Sequence, residues 1–350
     1  MNKKIMSSLH RLPLLEHLYL NFERVPYERL FIGPGFTSLK SISLINIYDG
    51  DLKQAEVDVI TDDIRCVLAS CSNLENIHIT TSCYGRFNIN FIDMIGDIPG
   101  QADFSPSLTT LRLRGISLSL TSPSLRYLAR LKSLDIDDNK PSADDVYSVL
   151  ASCPALESLQ VWASNRNRLD IDFMNMVKDI PSQANFSPSL KTLLLRGVYL
   201  SLTNSPLQYL ANLKSLDFHN IHPSDEKVWD IMTSHRLGLE IIKVAVITSS
   251  LVGYLLHYRG VQEFHILQGG IYPALAPRPD NEAKKNLLYS AFPHHQDSLI
   301  AFHAQLLHGM GALEIHPEEV AYLEALPSLT TVKISYALPG LDPPLVISCF

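Results

Sequence analysis

Leu131-Lys-Ser-Leu-Asp-Ile136 is followed 82 residues later by Leu213-Lys-Ser-Leu-Asp-Phe218. The match extends without a gap: residues 64–137 fall on residues 146–219 with about 40 of 74 positions identical. Val67-Leu-Ala-Ser-Cys71 returns as Val149-Leu-Ala-Ser-Cys153, and Phe104-Ser-Pro-Ser-Leu108 as Phe186-Ser-Pro-Ser-Leu190. A fixed long period marks a chain of stacked units, none of which buries its apolar side alone.

The long unit divides again. Leu-x-x-Leu-x-Leu, with Ile, Val or Phe allowed at the last two places, begins at Leu15, Leu39, Leu74, Leu108 and Leu131, and again at Leu156, Leu190, Leu213, Leu239 and Leu329. Within the duplication the steps are about 34, 23 and 25 residues. Residues two apart share one face of a strand, so the pattern predicts a short strand entered from a turn that carries its own apolar residue. Helical stripes lie between: Val57, Ile60, Ile64, Val67 and Leu68, then Phe91, Met94, Ile95 and Ile98, with counterparts at 146–150 and 173–180. Pro99 and Pro181 stop two of them, and Ser142-Ala-Asp-Asp145 suits a helix start. After residue 245 the pattern decays. A strand is expected over 260–266, a loop over 269–279, an apolar helix over about 295–309, a strand near 330, and a terminal capping segment over 341–350.

Composition agrees with a buried core. Of 350 residues 46% are hydrophobic and 19% charged, which excludes a disordered chain; 54 are leucine. The net charge of −7 argues against nucleic acid as a partner. No run of about 18 apolar residues predicts a membrane span, and the opening residues lack the apolar stretch of a secretory signal. Cys66, Cys71, Cys83, Cys153 and Cys349 are then expected as reduced, buried thiols of a cytoplasmic or nuclear protein.

These repeats resemble those of leucine-rich-repeat proteins, strongly over 9–245 and faintly over 255–340. The resemblance implies an α/β solenoid: a right-handed superhelix with parallel strands on its concave face and helices and turns on its convex face. It divides the chain into irregular repeats (9–245) and a degenerate C-terminal part with a cap (246–350). The Asn expected three residues past the last Leu is well placed only at Asn139, which is similar to the looser repeats of F-box receptors. Leu12-Pro-Leu-Leu-Glu-His-Leu-Tyr-Leu20 and Cys153-Pro-Ala-Leu-Glu-Ser-Leu159 resemble the repeat region of fungal F-box proteins in particular. That likeness implies substrate selection for a cullin-type ubiquitin ligase. The three-helix F-box itself has no counterpart before the first motif at residue 15, which implies either a fragment or a stand-alone binder.

Catalytic chemistry finds little support. His294, His295, His303, His308 and His316 lie within 23 residues, near Glu314, Glu318 and Glu319. Imidazoles with a carboxylate are zinc ligands, but the spacing is not His-Glu-x-x-His and no Cys joins it. Surface and partly buried histidines on a helix and loop are the expectation, with no metal, cofactor or catalytic residue. A metal-dependent enzyme built on this segment is the competing class, and a self-assembling scaffold a further one.

The strand positions opposite the core carry the functional signal: Tyr19, His78, Arg112/Arg114, Asp135/Asp137, Trp162 and Arg196 among them. Arg and Asp on neighbouring strands are expected to pair, at a few tenths of a kcal/mol each. Trp162 replaces Thr80 of the earlier copy, so the framework does not require an indole there. Aromatic and Arg residues anchor protein interfaces, and the expected function is a non-catalytic scaffold whose concave face binds a protein partner of unknown identity.

Overall fold

In the computed structural model the described residues are 12, 14–21, 38–47, 59, 62, 71, 73–81, 107–115, 128–138, 152–163, 169–171, 189–196, 198–200, 210–219, 227–267, 281–307, 315–337 and 345–349. The helical stripes between 57 and 98 and between 146 and 180, the 142–145 helix start, Asn139 and the 269–279 loop lie outside them. The chain divides into two compact units, Met1–Leu169 with Met176–Ser189, and Asp170–Asn175 with Leu190–Phe350.

The first unit carries β1 (His17–Asn21), β2 (Ser41–Ile47), β3 (Asn76–Thr81), β4 (Thr110–Arg114), β5 (Ser133–Asp138) and β6 (Ser158–Ala163). Each pairs in parallel with the next in chain order. The register stacks the pattern on itself: Leu18, Ile42, Ile77, Leu111, Leu134 and Leu159 form one column. All six are buried, as are Leu44, Ile79, Leu113, Ile136 and Val161 of the next core column. At roughly 1.5–3 kcal/mol per buried aliphatic side chain, these columns dominate the unit's stability.

The first Leu of the pattern has a separate task. Leu131 N donates to Leu128 O, Leu74 N to Cys71 O and Leu156 N to Cys153 O, which closes a turn before each strand. Cys71 and Cys153 therefore occupy the place of Leu128 and are buried with it. The residue after that Leu accepts two backbone N–H groups from the following repeat. Lys40 and Ser41 donate to Glu16 O, Glu75 and Asn76 to Lys40 O, and Lys132 and Ser133 to Thr109 O. The doubled bond repeats with the motif and uses no side chain, so each repeat is held to its neighbour even where the Asn of the usual pattern is lacking.

In the second unit β7 (Leu169–Ile171) and β9 (Val198–Leu200) form a small separate sheet. The main strands are β8 (Thr192–Arg196), β10 (Ser215–His219), β11 (Ile241–Val244), β12 (Glu263–Leu267), β13 (Ala301–Leu307) and β14 (Thr331–Ala337). They too are parallel in chain order. The described helices are α1 (Lys227–Ser234), α2 (Ser249–His257), α3 (Asn281–Asn286), which runs through a π-helical turn into α4 (Phe292–His294), and α5 (Pro317–Glu324). Trp229 of α1 meets Phe218 edge-on at 5.9 Å and Tyr254 of α2 at 5.4 Å. The buried Tyr254 hydroxyl accepts from Leu239 N at 3.0 Å and donates to Leu237 O at 2.8 Å, which fixes the turn into β11. Phe264, Phe292 and Phe302 continue the core.

Parallel strands at one per repeat, joined in this second unit by helices, make this an α/β leucine-rich-repeat fold. The expected helix over 295–309 is wrong: the helix before it ends at His294, residues 295–298 form a turn, and 301–307 are β13. Phe302 and Ala304 face the core, and Ala301, His303 and Gln305 do not. Leu299-x-x-Phe302-x-Ala304 is the strand motif in disguise, with Ala in its last place. Residues 345–349 form β15 (Leu345–Cys349), antiparallel to β14, so the terminal segment closes this edge with backbone pairing.

Candidate functional site

Alternation sends every second strand residue away from the core, onto an open face of each sheet. On the first unit Tyr19, Ser43, His78, Arg112, Asp135 and Gln160 share one row, and Thr80, Arg114, Asp137 and Trp162 the next. Asp135 is the hub. Arg112 Nε donates to its Oδ2, and Arg114 Nη2 lies 3.8 Å from the same oxygen. The expectation of an exposed Asp135 fails: only 3% of the residue is accessible, and Asp137 is also buried. The two half-exposed cations Arg112 and Arg114 converge on the submerged Asp135 carboxylate.

Above them the Arg114 guanidinium carbon lies 5.3 Å from the Trp162 ring centroid. His78 flanks the cluster, its Nε2 3.0 Å from Thr80 Oγ1. Burial, then the charges of Arg112 and Arg114, push its pKa down to about 4, so the ring is neutral. Tyr19 is 65% exposed, two strands before His78 in the same row and outside the cluster.

Arg196 belongs to the second unit, where its Nη2 stands 4.0 Å from Asp217 Oδ2. Arg114–Asp135 and Arg196–Asp217 are one ion pair copied by the duplication. Arg112 has Leu194 as its counterpart, so only the first copy holds its carboxylate between two cations. Beyond Asp217 the open face reads Lys243, His265, His303 and Lys333. The two histidines of this row are hidden in the sequence because the repeats of β12 and β13 carry Val261, Phe264 and Ala304 in places where Leu is usual.

The histidine-rich segment disperses. His295 is buried and bracketed by backbone: its Nδ1 accepts from Gly260 and Val261 N at 3.3 Å, and its Nε2 donates to Leu255 O at 2.9 Å. His303 stands on β13, not on a helix or loop, while His316 is the N-cap of α5 and Glu319 closes the capping box. Glu319 also pairs with buried Lys284 at 2.8 Å. His308 and Glu314 lie outside the described residues. Among the described residues no three of His, Cys, Asp and Glu gather as metal ligands. Cys71 and Cys153 are unpaired, and burial raises their thiols to about 11 and about 12. None of the described helices is long and apolar enough to cross a membrane.

No family model matches the chain, and no curated protein matches it in sequence. Among solved structures it is similar to an internalin of Listeria monocytogenes, at 16% identity and a TM-score of 0.40, covering 98% of this chain and 86% of that one. A leucine-rich-repeat protein of Leptospira interrogans gives 13% and 0.36, covering 95% and 88%. The mouse RP105/MD-1 complex gives 15% and 0.34, covering 92% of this chain and 55% of that one. Likeness at this level decides nothing further; the fold stands on the strand register.

Proposed function

We propose that this chain is a non-catalytic docking scaffold that binds a protein partner on the open face of its repeats, with Trp162, Arg112 and Arg114 as the anchor. The observation that carries the reading is the arrangement of Arg114, Asp135 and Trp162. An indole the repeat does not require is held under a guanidinium that is itself tethered to a buried carboxylate. Both anchors are pre-positioned, so a partner meets them with little further ordering cost. Tyr19 and His78 extend the proposed surface on the first unit, Asp137 lies buried beneath it, and Arg196 lies on the open face of the second unit.

The narrower assignment, substrate selection for a cullin-type ubiquitin ligase in the cytoplasm or nucleus, is supported by the likeness of the repeats to F-box receptors alone. Affinity capture on the immobilised chain, in parallel with Trp162→Ala and Arg112→Ala baits, tests both levels. A partner recovered by wild type and lost by both variants, then titrated as purified protein with the same ranking, supports the docking face. Equal recovery on all three baits removes it. Recovery of the ligase adaptor separates the narrower reading from the general one.

A further inference from the structure

On the second unit, four consecutive strands place a basic or imidazole side chain at one register position: Lys243 on β11, His265 on β12, His303 on β13 and Lys333 on β14. The two imidazoles meet edge to face with ring centroids 4.5 Å apart. Cross-strand packing accounts for that contact, but not for a lysine at each end. Lys243 and Lys333 lie close enough to the pair to hold imidazole protonation down alongside burial. Among the described residues of these four strands the single carboxylate is Glu263, already engaged by His265 Nε2 at 3.1 Å; Asp217 lies one strand away, beside Arg196. A chain with a net charge of −7 thus concentrates uncompensated positive charge along one line.

We propose that the row Lys243–His265–His303–Lys333 docks an acidic peptide segment laid across the strands. Three strand spacings span about 14 Å from Lys243 to Lys333, which four to five residues of extended peptide cover at about 3.3 Å each. Carboxylates near the two ends of such a segment meet the two ammonium groups. One between them meets His303, which is half-exposed over the more buried His265. Ile241 and Ala301, half-exposed two residues earlier on their strands and on the same face, offer apolar contact beside the charges. A carboxylate seated there favours the protonated imidazole, so binding tightens on acidification while Glu and Asp of the peptide stay ionised.

The inference rests on reading the open sheet face as a docking surface, and the test separates the two. A fluorescein-labelled Glu/Asp-rich octapeptide, its Gln/Asn counterpart and a single-stranded oligonucleotide of equal charge are titrated with the full chain and followed by anisotropy. Expected is saturable binding of the acidic peptide alone, weakened about tenfold by Lys243→Gln with Lys333→Gln. It tightens about threefold between pH 8 and pH 5.5, a gain that His303→Gln abolishes. Absence of binding at pH 5.5, equal binding by the lysine double variant, or equally tight oligonucleotide binding lost in that variant overturns the proposal. A Trp162-dependent partner found alongside a failed titration leaves the docking reading standing and removes this inference alone.

Discussion

Arg114 and Trp162 meet across an intervening strand: β5 runs between them, with Asp137 at the register position that joins the two. The contact is a cation–π pair at 5.3 Å, in which the ion is also tied to Asp135. Such a pair at a half-exposed site contributes about 0.5–1 kcal/mol to folding, whereas an interface anchor typically loses 2 kcal/mol or more when truncated. Trp162→Ala should therefore lower the urea midpoint only slightly while reducing affinity for a captured partner by at least about 30-fold. A variant that unfolds as readily as a core mutant shows that Trp162 holds the fold and is no anchor. With two tryptophans in the chain, Trp229→Phe isolates the Trp162 emission. Iodide should quench it in the free protein and partner binding should protect it, while buried Trp229 stays unquenched in Trp162→Phe.

Leu134→Ala and Asp135→Ala, adjacent on β5, should be destabilising for different reasons. Leu134 is fully buried in the core column, and its truncation should cost about 3 kcal/mol through lost transfer energy and the cavity left behind. Asp135→Ala strands Arg112 and Arg114 beside each other without their shared counter-charge, at an expected cost of about 1–2 kcal/mol. A double-mutant cycle with Arg112→Ala discriminates: the Asp135 loss should shrink when Arg112 is already gone, while the Leu134 loss should not change. Additive Arg112 and Asp135 effects would contradict the hub.

The core half of this architecture is legible in the sequence because it depends on spacing alone. Leu131, Leu134 and Ile136 announce a turn and a strand face, and the copy at Leu213 confirms the period. β13 is not legible in the same way. The run Leu299–Leu307 is apolar enough to satisfy a helical period, and Ala304 is too small to mark a core position by itself. The burial of Asp135 is a different failure: alternation tells which face a side chain takes, but not that two guanidinium neighbours will converge on one carboxylate. In the sequence His303 stands among His294, His295, His308 and His316, yet its structural company is His265, 38 residues earlier and one strand away.

Cys71 and Cys153 should be inert in the native protein. Each closes the turn before a repeat strand from a buried position, and thiols raised to about 11 and about 12 supply almost no thiolate at pH 8. Iodoacetamide labelling followed by peptide mapping should find both unmodified in buffer and both modified in 6 M guanidinium. Rapid native labelling of either would show that its repeat opens locally. Cys153→Ala should cost about 1 kcal/mol and Cys153→Asp far more, since an ionised carboxylate at that turn has no water.

His295 makes the second unit sensitive to acid. Its ring is neutral by construction, because a protonated Nδ1 cannot accept the Gly260 and Val261 N–H groups. Burial is the largest cause of its depressed pKa, with the charges of His294 and Arg259 adding to it and the bond to Leu255 O opposing; the result is about 4 against an ordinary 6.5. In this window the unfolded chain takes up a proton that the folded one refuses. The stabilisation is fully present above pH 6.5, falls by up to about 1.4 kcal/mol per pH unit below it, and levels off near pH 4. The total reaches about 3 kcal/mol as an upper bound. His78, depressed to about 4 on the first unit, acts in the same direction, so the wild-type urea midpoint should drop steeply between pH 7 and pH 4.5. His295→Gln should be less stable at pH 7.5, where it loses the bracket, yet show a shallower pH slope. An unchanged slope would mean that His295 titrates freely, and its imidazole shift followed by NMR in the folded protein would then move near pH 6.5 instead of near pH 4.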